Sequence, residues 1–326
     1  MPEMAIQAEG LRRDYDSLRA VDGISCSVQP GEIFDFLGPS GAGKTTTVRM
    51  LAGLLRPTAG KAQVAGHDIV QDRLRLKAAV GLVPERSNLY DELSGLDNLI
   101  FMAQLYGLPR KQWRPRAEAL LAEFGLEQAA DRRFGAYSRG MRRRLTIAAA
   151  LVHHPQVLFL DEPTTGLDVM SARSLRQTIR RLNREGVTIF LTTHLIGEAE
   201  MLCQQVAILV EGKIRAIDTP ARLREVVRTD RTVRVFFAGS AIGILEKLRG
   251  HPDLTASADG EQGVRILAEN PTRAVVALGQ VLAQDNLSLR DIRLDTPSLE
   301  DAFVHITGLD PDVLQREKGE RRKAQG

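Results

Sequence analysis

The sequence predicts an α/β fold: a domain of parallel strands interrupted by a helical insertion, followed by a smaller α+β unit. Three observations carry this expectation. Strand-like apolar runs alternate with helix-period segments through the first two thirds of the chain, the texture turns wholly helical between Val83 and Val157, and the alternation resumes on a smaller scale near Thr229.

In chain order, the clearest first strand is Ile33–Leu37, which runs into a glycine-rich turn at Gly38 and then a helical segment over 46–55. Val80–Val83 is the next strand. The insertion holds two helical stretches, 93–108 and 114–126, parted by the breaker Gly107–Pro109. Val157–Leu160, Val187–Thr192 and Val206–Leu209 complete the sheet. The last third then reads as a strand (231–237), a helix (241–250), two short strands (254–258 and 263–269), a helix (272–284), a strand (288–294) and a final helix (298–306). The βαββαβ part of that order matches a split βαβ, or ferredoxin-like, unit. The expected domains are 4–228, with its helical part at about 86–150, and 229–308, followed by a polar tail over 309–326. From Gln315 onward the tail reads as a solvated, frayed end.

Composition narrows the function classes. The chain has 326 residues, with 44 Lys and Arg against 41 Asp and Glu, a net charge of +3; 43% of residues are hydrophobic and 26% charged. That is an ordinary globular composition without the basic excess that nucleic-acid binding leaves, so no nucleic acid is expected. The slight excess of base still allows an acidic surface such as a membrane headgroup layer. No apolar run approaches the ~20 residues that span a bilayer, and the first residues lack the apolar core of a secretory signal, so the expected place is the cytoplasm. Cys26 and Cys203 have no metal-ligand spacing and read as buried thiols. His67, His153, His154, His251 and His305 read as ordinary polar residues.

The strongest local signal is Gly38-Pro39-Ser40-Gly41-Ala42-Gly43-Lys44-Thr45, a complete GxxxxGK[ST] followed by Thr46 and a helix. Glycines let successive backbone N–H groups turn inward around a phosphate, the helix N-terminus adds partial positive charge, Lys44 supplies a point charge and the Thr45 hydroxyl suits Mg²⁺. A nucleoside triphosphate is the expected ligand. Val157–Leu160 ends in Asp161 and Glu162: the first suits the Mg²⁺ shell, the second is placed to polarise an attacking water. A guanine-reading Asn-Lys-x-Asp loop is absent from the sequence, which removes the GTPase reading. Tyr137-Ser138-Arg139-Gly140-Met141 opens a helix and makes a second anion site, so ATP sandwiched between two subunits is expected.

With these residues in this order, residues 4 to 220 resemble the nucleotide-binding subunit of ATP-binding-cassette (ABC) transporters, and YSRGM, the Leu89–Leu93 run and the C-terminal PSLEDAFVHITG resemble its daunorubicin-resistance type. The resemblance implies that Tyr137–Met141 is the signature, Gly166–Asp168 the D-loop, and His194 the switch histidine. It implies that Lys44 and the loop amides hold the β and γ phosphates, that Thr45 and Asp161 organise Mg²⁺, that Glu162 is the general base, and that His194 aligns it. Ser138, Arg139 and Gly140 would face ATP bound by the partner subunit, Asp168 would sit at the dimer interface, and Tyr15 would stack on adenine. It further implies ATP and Mg²⁺ as cofactors, a homodimer or heterodimer of ATPase subunits, a separate multi-pass membrane permease that docks near 85–108, and a peripheral place on the cytoplasmic face of the membrane. The C-terminal unit would buttress or regulate the dimer.

Three residues depart from that pattern. Glu85 replaces the usual Q-loop glutamine, so it is expected to bind Mg²⁺ or water while adding charge near the phosphates. Arg139 replaces a signature glycine, and it either brings a cation to the partner's γ-phosphate or points to solvent with Arg142, Arg143 and Arg144. Asp35 interrupts a buried strand where glycine is usual, so a partner or local exposure is expected. Two other functions compete: a soluble ABC ATPase of translation or repair, against which stand the single P-loop and the lack of a heptad run, and a non-catalytic nucleotide-gated scaffold, against which stand Lys44, Asp161, Glu162 and His194.

Overall fold

The computed structural model describes residues 4–16, 18–227, 231–238, 242–249, 255–260, 262–268, 289–295 and 297–310, with 272, 275–276, 278–280 and 282. The predicted tail over 315–326, His251 and part of the helix expected at 272–284 lie outside the described residues. Among the described residues, no helix is long and apolar enough to cross a membrane.

A six-stranded sheet holds the centre of the first unit. Its order is β10 (Lys213–Asp218), β9 (Gln205–Val210), β3 (Ile33–Leu37), β8 (Thr188–Thr193), β7 (Val157–Asp161) and β6 (Val80–Val83). All neighbours run parallel except the edge strand β10. Every residue of β3, β7 and β8 is buried, as expected of parallel strands covered on both faces. Phe34, Phe36, Phe159 and Phe190 meet there, ring to ring, at centroid distances of 4.8 to 5.7 Å.

A second sheet was not anticipated from the sequence. It is antiparallel, in the order β2 (Leu18–Val28), β1 (Ile6–Tyr15), β4 (Ala59–Val64) and β5 (His67–Asp68). β1 and β2 form a tight hairpin that pairs Tyr15 with Leu18, and Asp16 takes φ +45° to turn it. This hairpin ends at the candidate site.

The helices are α1 (Lys44–Leu51), α2 (Arg73–Ala79), α3 (Gly95–Leu105), α4 (Arg110–Glu123), α5 (Arg139–Ala150), α6 (Val169–Arg184), α7 (Ile196–Leu202) and α8 (Pro220–Glu225). Side-chain caps set the starts of three of them: Ser94 accepts from the Asp97 amide, Ser138 from Met141 and Asp168 from Ser171.

Residues 224–305 form a second compact unit. It contains β11 (Arg231–Phe237), α9 (Ile242–Arg249), β12 (Thr255–Ala258), β13 (Gly263–Ala268) and β14 (Leu289–Asp295), and α10 (Leu299–Thr307) begins there; the described residues within 272–282 are helical. The strand order is β12-β13-β11-β14, antiparallel throughout, which is the arrangement of the expected split βαβ unit. Val233, Val235, Phe237, Leu248, Val264 and Ile266 form its core.

Candidate active site

Four loops leave the C-terminal ends of adjoining parallel strands, the edge at which open α/β sheets bind ligands. β3 leads into Gly38–Thr45, β7 into Glu162, β8 into His194 and β6 into Glu85.

In the first loop, Gly41 and Gly43 take φ +86° and +101°. Two glycines are also required by neighbouring backbone: a Cβ at Gly38 would lie 2.1 Å from the Leu209 carbonyl oxygen, and one at Gly43 would lie 2.5 Å from that of Ala20. Lys44 is buried. Its Nζ donates to the carbonyls of Gly38 (2.6 Å) and Pro39 (3.0 Å) and lies 3.5 Å from Glu162 Oε1.

The Asp161 carboxylate accepts from Thr45 Oγ1 at 2.9 and 3.1 Å and from Thr192 Oγ1 at 2.6 Å. Next to it, Glu162 adopts φ +50°, unusual for a residue with a side chain. Its Oε2 accepts from His194 Nδ1 at 2.6 Å and from Thr165 Oγ1 at 2.8 Å. Burial alone would raise the Glu162 carboxyl, but the His194 hydrogen bond and the Lys44 charge outweigh it and hold the group below the usual carboxylate range. Glu162 is therefore an anion at neutral pH. A carboxylate only accepts, so His194 Nδ1 carries the hydrogen of their bond.

A cavity of about 550 Å³ runs past these groups. Tyr15, Leu18 and Ala20 line one part, Ser40 through Thr46 (without Ala42) another, and Glu85, Arg86 and Glu162 the rest. Tyr15 is half-exposed, with the Arg13 guanidinium 4.5 Å from its ring centroid. The structure thus gathers Tyr15, the glycine-rich loop, Glu85, Asp161, Glu162 and His194 into one neighbourhood.

Ser138, Arg139, Gly140 and Asp168 do not line this cavity. Arg139 is exposed. Gly140 borders a separate hollow of about 240 Å³ with Leu167, Met170 and Ser171. At the start of α6 Ser171 donates twice to the Asp168 carboxylate, from its amide at 2.9 Å and from its hydroxyl at 2.6 Å.

Two expectations are corrected. Arg143 does not point to solvent. Helical spacing turns it to the face of α5 that also buries Thr146, Ile147 and Ala150, where its guanidinium donates to the carbonyls of Pro84, Asp161 and Pro163. Its neighbours do stay near the surface, Arg142 pairing with Asp91 at 2.9 Å and Arg144 donating to the Phe124 carbonyl at 2.9 Å. Asp35 has neither a partner nor exposure. It lies fully buried between β8 and β9, and neither carboxyl oxygen has a hydrogen bond of proper geometry, although the Thr193 amide is close by. Burial first, and the negative charge of Glu198 second, push its pKa well above the ordinary value, which favours the neutral acid. A neutral acid is far cheaper to bury than an anion.

The sequence reading missed Glu198 as well as the burial of Arg143. Glu198 is buried on α7 and accepts from Thr164 Oγ1 (2.8 Å) and Thr193 Oγ1 (3.2 Å), joining the loops that follow β7 and β8. Only its helix position after His194 hinted at this. Cys26 and Cys203 are buried free thiols, the first pushed up to about 12 by burial. Among the described residues, no group of three or more His, Cys, Asp or Glu could hold a metal. Thr45 and Asp161 offer one hydroxyl and one carboxylate. That hard oxygen pair suits Mg²⁺, which takes few protein ligands and fills its shell with water and phosphate.

Residues 21–165 match the family model described as ABC transporter. The chain is 36% identical over 318 residues to the daunorubicin resistance ATP-binding protein DrrA3 of Streptomyces coeruleorubidus, covering 97% of this chain and 99% of that one. It is 42% identical over 223 residues to the Nod factor export ATP-binding protein I of Paraburkholderia xenovorans, covering 68% of this chain and 73% of the relative. Among solved structures, cbiO1 of Clostridium perfringens, part of a transporter complex, superposes with a TM-score of 0.62 at 29% identity over 69% of this chain and 94% of that one.

Proposed function

The chain belongs to the family of ABC transporter ATP-binding subunits, of the daunorubicin-resistance exporter type, and on that premise we propose how its residues carry the ATPase cycle. It is an ATP hydrolase of an exporter and not an enzyme of translation or repair. The observation that supports the residue roles is the linked set Lys44–Glu162–His194 beside Thr45–Asp161, all on one cavity wall or bonded to it.

Tyr15 stacks on adenine, and the amides of 40–46 with Lys44 hold the β and γ phosphates. Lys44 already has two carbonyl acceptors, so it stays in place when the phosphates arrive. Thr45 and Asp161, with Glu85 at the cavity wall, hold Mg²⁺, which when bound neutralises developing charge on the phosphates. Glu162 is the general base: its anionic carboxylate orients the attacking water and accepts its proton, while His194 fixes the direction of that carboxylate. Ser138, Arg139 and Gly140 complete the ATP site of a second subunit, identical or related, and Asp168 lies at that interface.

The membrane permease docks on an apolar groove of about 540 Å³ lined by Leu54, Val80, Leu82, Met102, Leu105 and Tyr106. The subunit works on the cytoplasmic face of the membrane, with ATPase domain 4–228 and accessory domain 229–308, the latter buttressing or regulating the dimer. The test is affinity purification of tagged Glu162→Gln protein from its native host in mild detergent with Mg-ATP, followed by mass spectrometry. Recovery of a polytopic membrane protein is expected; recovery of soluble proteins alone overturns the permease assignment.

A further inference from the structure

Arg143 lies on α5, three residues after Gly140, and its side chain turns back into the sheet. Its Nε donates to the Pro163 carbonyl at 2.8 Å, its Nη2 to the Asp161 carbonyl at 2.8 Å and its Nη1 to the Pro84 carbonyl at 2.5 Å. The first two acceptors flank Glu162. One planar fork therefore holds the peptide carbonyl before Glu162 and the second one after it. Glu162 needs such restraint, because its φ of +50° is a conformation that a side chain disfavours and that persists only when its surroundings fix it. From the opposite side the Glu162 amide donates to the Thr192 carbonyl at 3.1 Å.

We propose that Arg143 is a positioning residue: it holds Glu162 in its working conformation and ties that conformation to α5. The third donor extends the link, since Pro84 directly precedes Glu85 in the loop after β6. A shift of α5 at its exposed Ser138 end is thus carried by one rigid group to the Glu162 backbone and to the Glu85 loop together. Lysine cannot reproduce this, because its single ammonium lacks the planar fork whose three nitrogens meet the separated carbonyls of Pro84, Asp161 and Pro163. Burial lowers the guanidinium to about 10, with Asp161, Glu198, Glu85 and Glu162 opposing the fall, so it stays charged at neutral pH. The inference rests on the reading of Glu162 as the base.

The experiment is steady-state ATPase, ATP affinity and thermal melting of Arg143→Lys beside Glu162→Gln, in the full chain. The expected result is a fall in kcat of at least ~10-fold for Arg143→Lys with ATP affinity within ~2-fold and a cooperative melt, the split a misplaced base produces. Arg143→Lys that keeps more than half of the turnover while Glu162→Gln is inactive overturns the role of Arg143 and leaves the base intact. Loss of ATP affinity in step with kcat makes Arg143 a merely structural residue. A Glu162→Gln that still turns over removes the base, and the inference with it. Should Arg143→Lys not melt cooperatively, Arg143→Gln, which retains a donor for one carbonyl, takes its place under the same criteria.

Discussion

At the rim of the parallel sheet, Lys44, Thr45, Asp161, Glu162 and His194 each already have a partner within the chain, and the bonds link three loops. Ser138, Arg139, Gly140 and Asp168 are organised otherwise: Ser138 and Asp168 cap the helices they start, Arg139 is exposed, and none lines the cavity. The first region is wired to itself, and the second presents its groups outward. On the proposed roles, nucleotide chemistry is prepared inside one chain, while Ser138–Gly140 would act only when another surface meets them.

The largest effect expected of this contrast is at Glu162. Glu162→Gln should lower ATP turnover by about 10²- to 10⁴-fold, the usual worth of a general base, with ATP still bound; comparable turnover to wild type would break the self-wired account of the rim. Ser138 follows. Ser138→Ala removes a cap worth about 1 kcal/mol, and if the signature works in a second subunit, turnover should fall at least ~10-fold while ATP affinity of dilute protein holds. A loss of turnover no larger than the loss of folded protein would reduce Ser138 to a cap.

A smaller effect sharpens the rim itself. Asp35 has a folded pKa above its unfolded value, so between pH ~4 and that raised pKa the unfolded chain releases a proton that the folded chain keeps, and stability falls as pH rises. Asp35→Asn should therefore raise Tm at pH 8 by a few degrees and change it little at pH 4, given about 2–4 °C for each kcal/mol. Parallel melting curves of the two proteins against pH would contradict the buried neutral acid. The smallest effect is at Glu85, an exposed side chain on the cavity wall. Glu85→Gln should move the Mg²⁺ midpoint of ATPase activity by a few fold with kcat nearly unchanged, and an unmoved midpoint would take Glu85 out of the metal shell.

Much of this was legible in the sequence because the chemistry of the rim is local. Gly38–Thr45 and Asp161–Glu162 each occupy one strand end and its turn, so their own residues exposed them, whereas His194, a lone histidine after an apolar strand, was marked only by the family resemblance. The antiparallel sheet was not legible: β1 pairs with β4 some fifty residues away, and alternation within Ile6–Tyr15 names no partner. Arg143 sits in a run of three arginines that composition assigns to solvent, and only the contacts of α5 with two strand ends separate it from its neighbours. Asp35 was recognised as anomalous, but its neutral state depends on β8 and β9, which close over it from far along the chain.

The meeting of Gly140 with Ser171 sets how this segment tolerates drift. A Cβ at 140 would stand 2.7 Å from the Ser171 hydroxyl, which is itself held by Asp168, so any side chain there must turn that hydroxyl away from its partner. One residue earlier the chain faces open solvent and carries an arginine. In a library randomised at both positions and sorted for folded protein alone, 139 would accept a wide range of residues while 140 would favour glycine, because the gap between two helices constrains only the second.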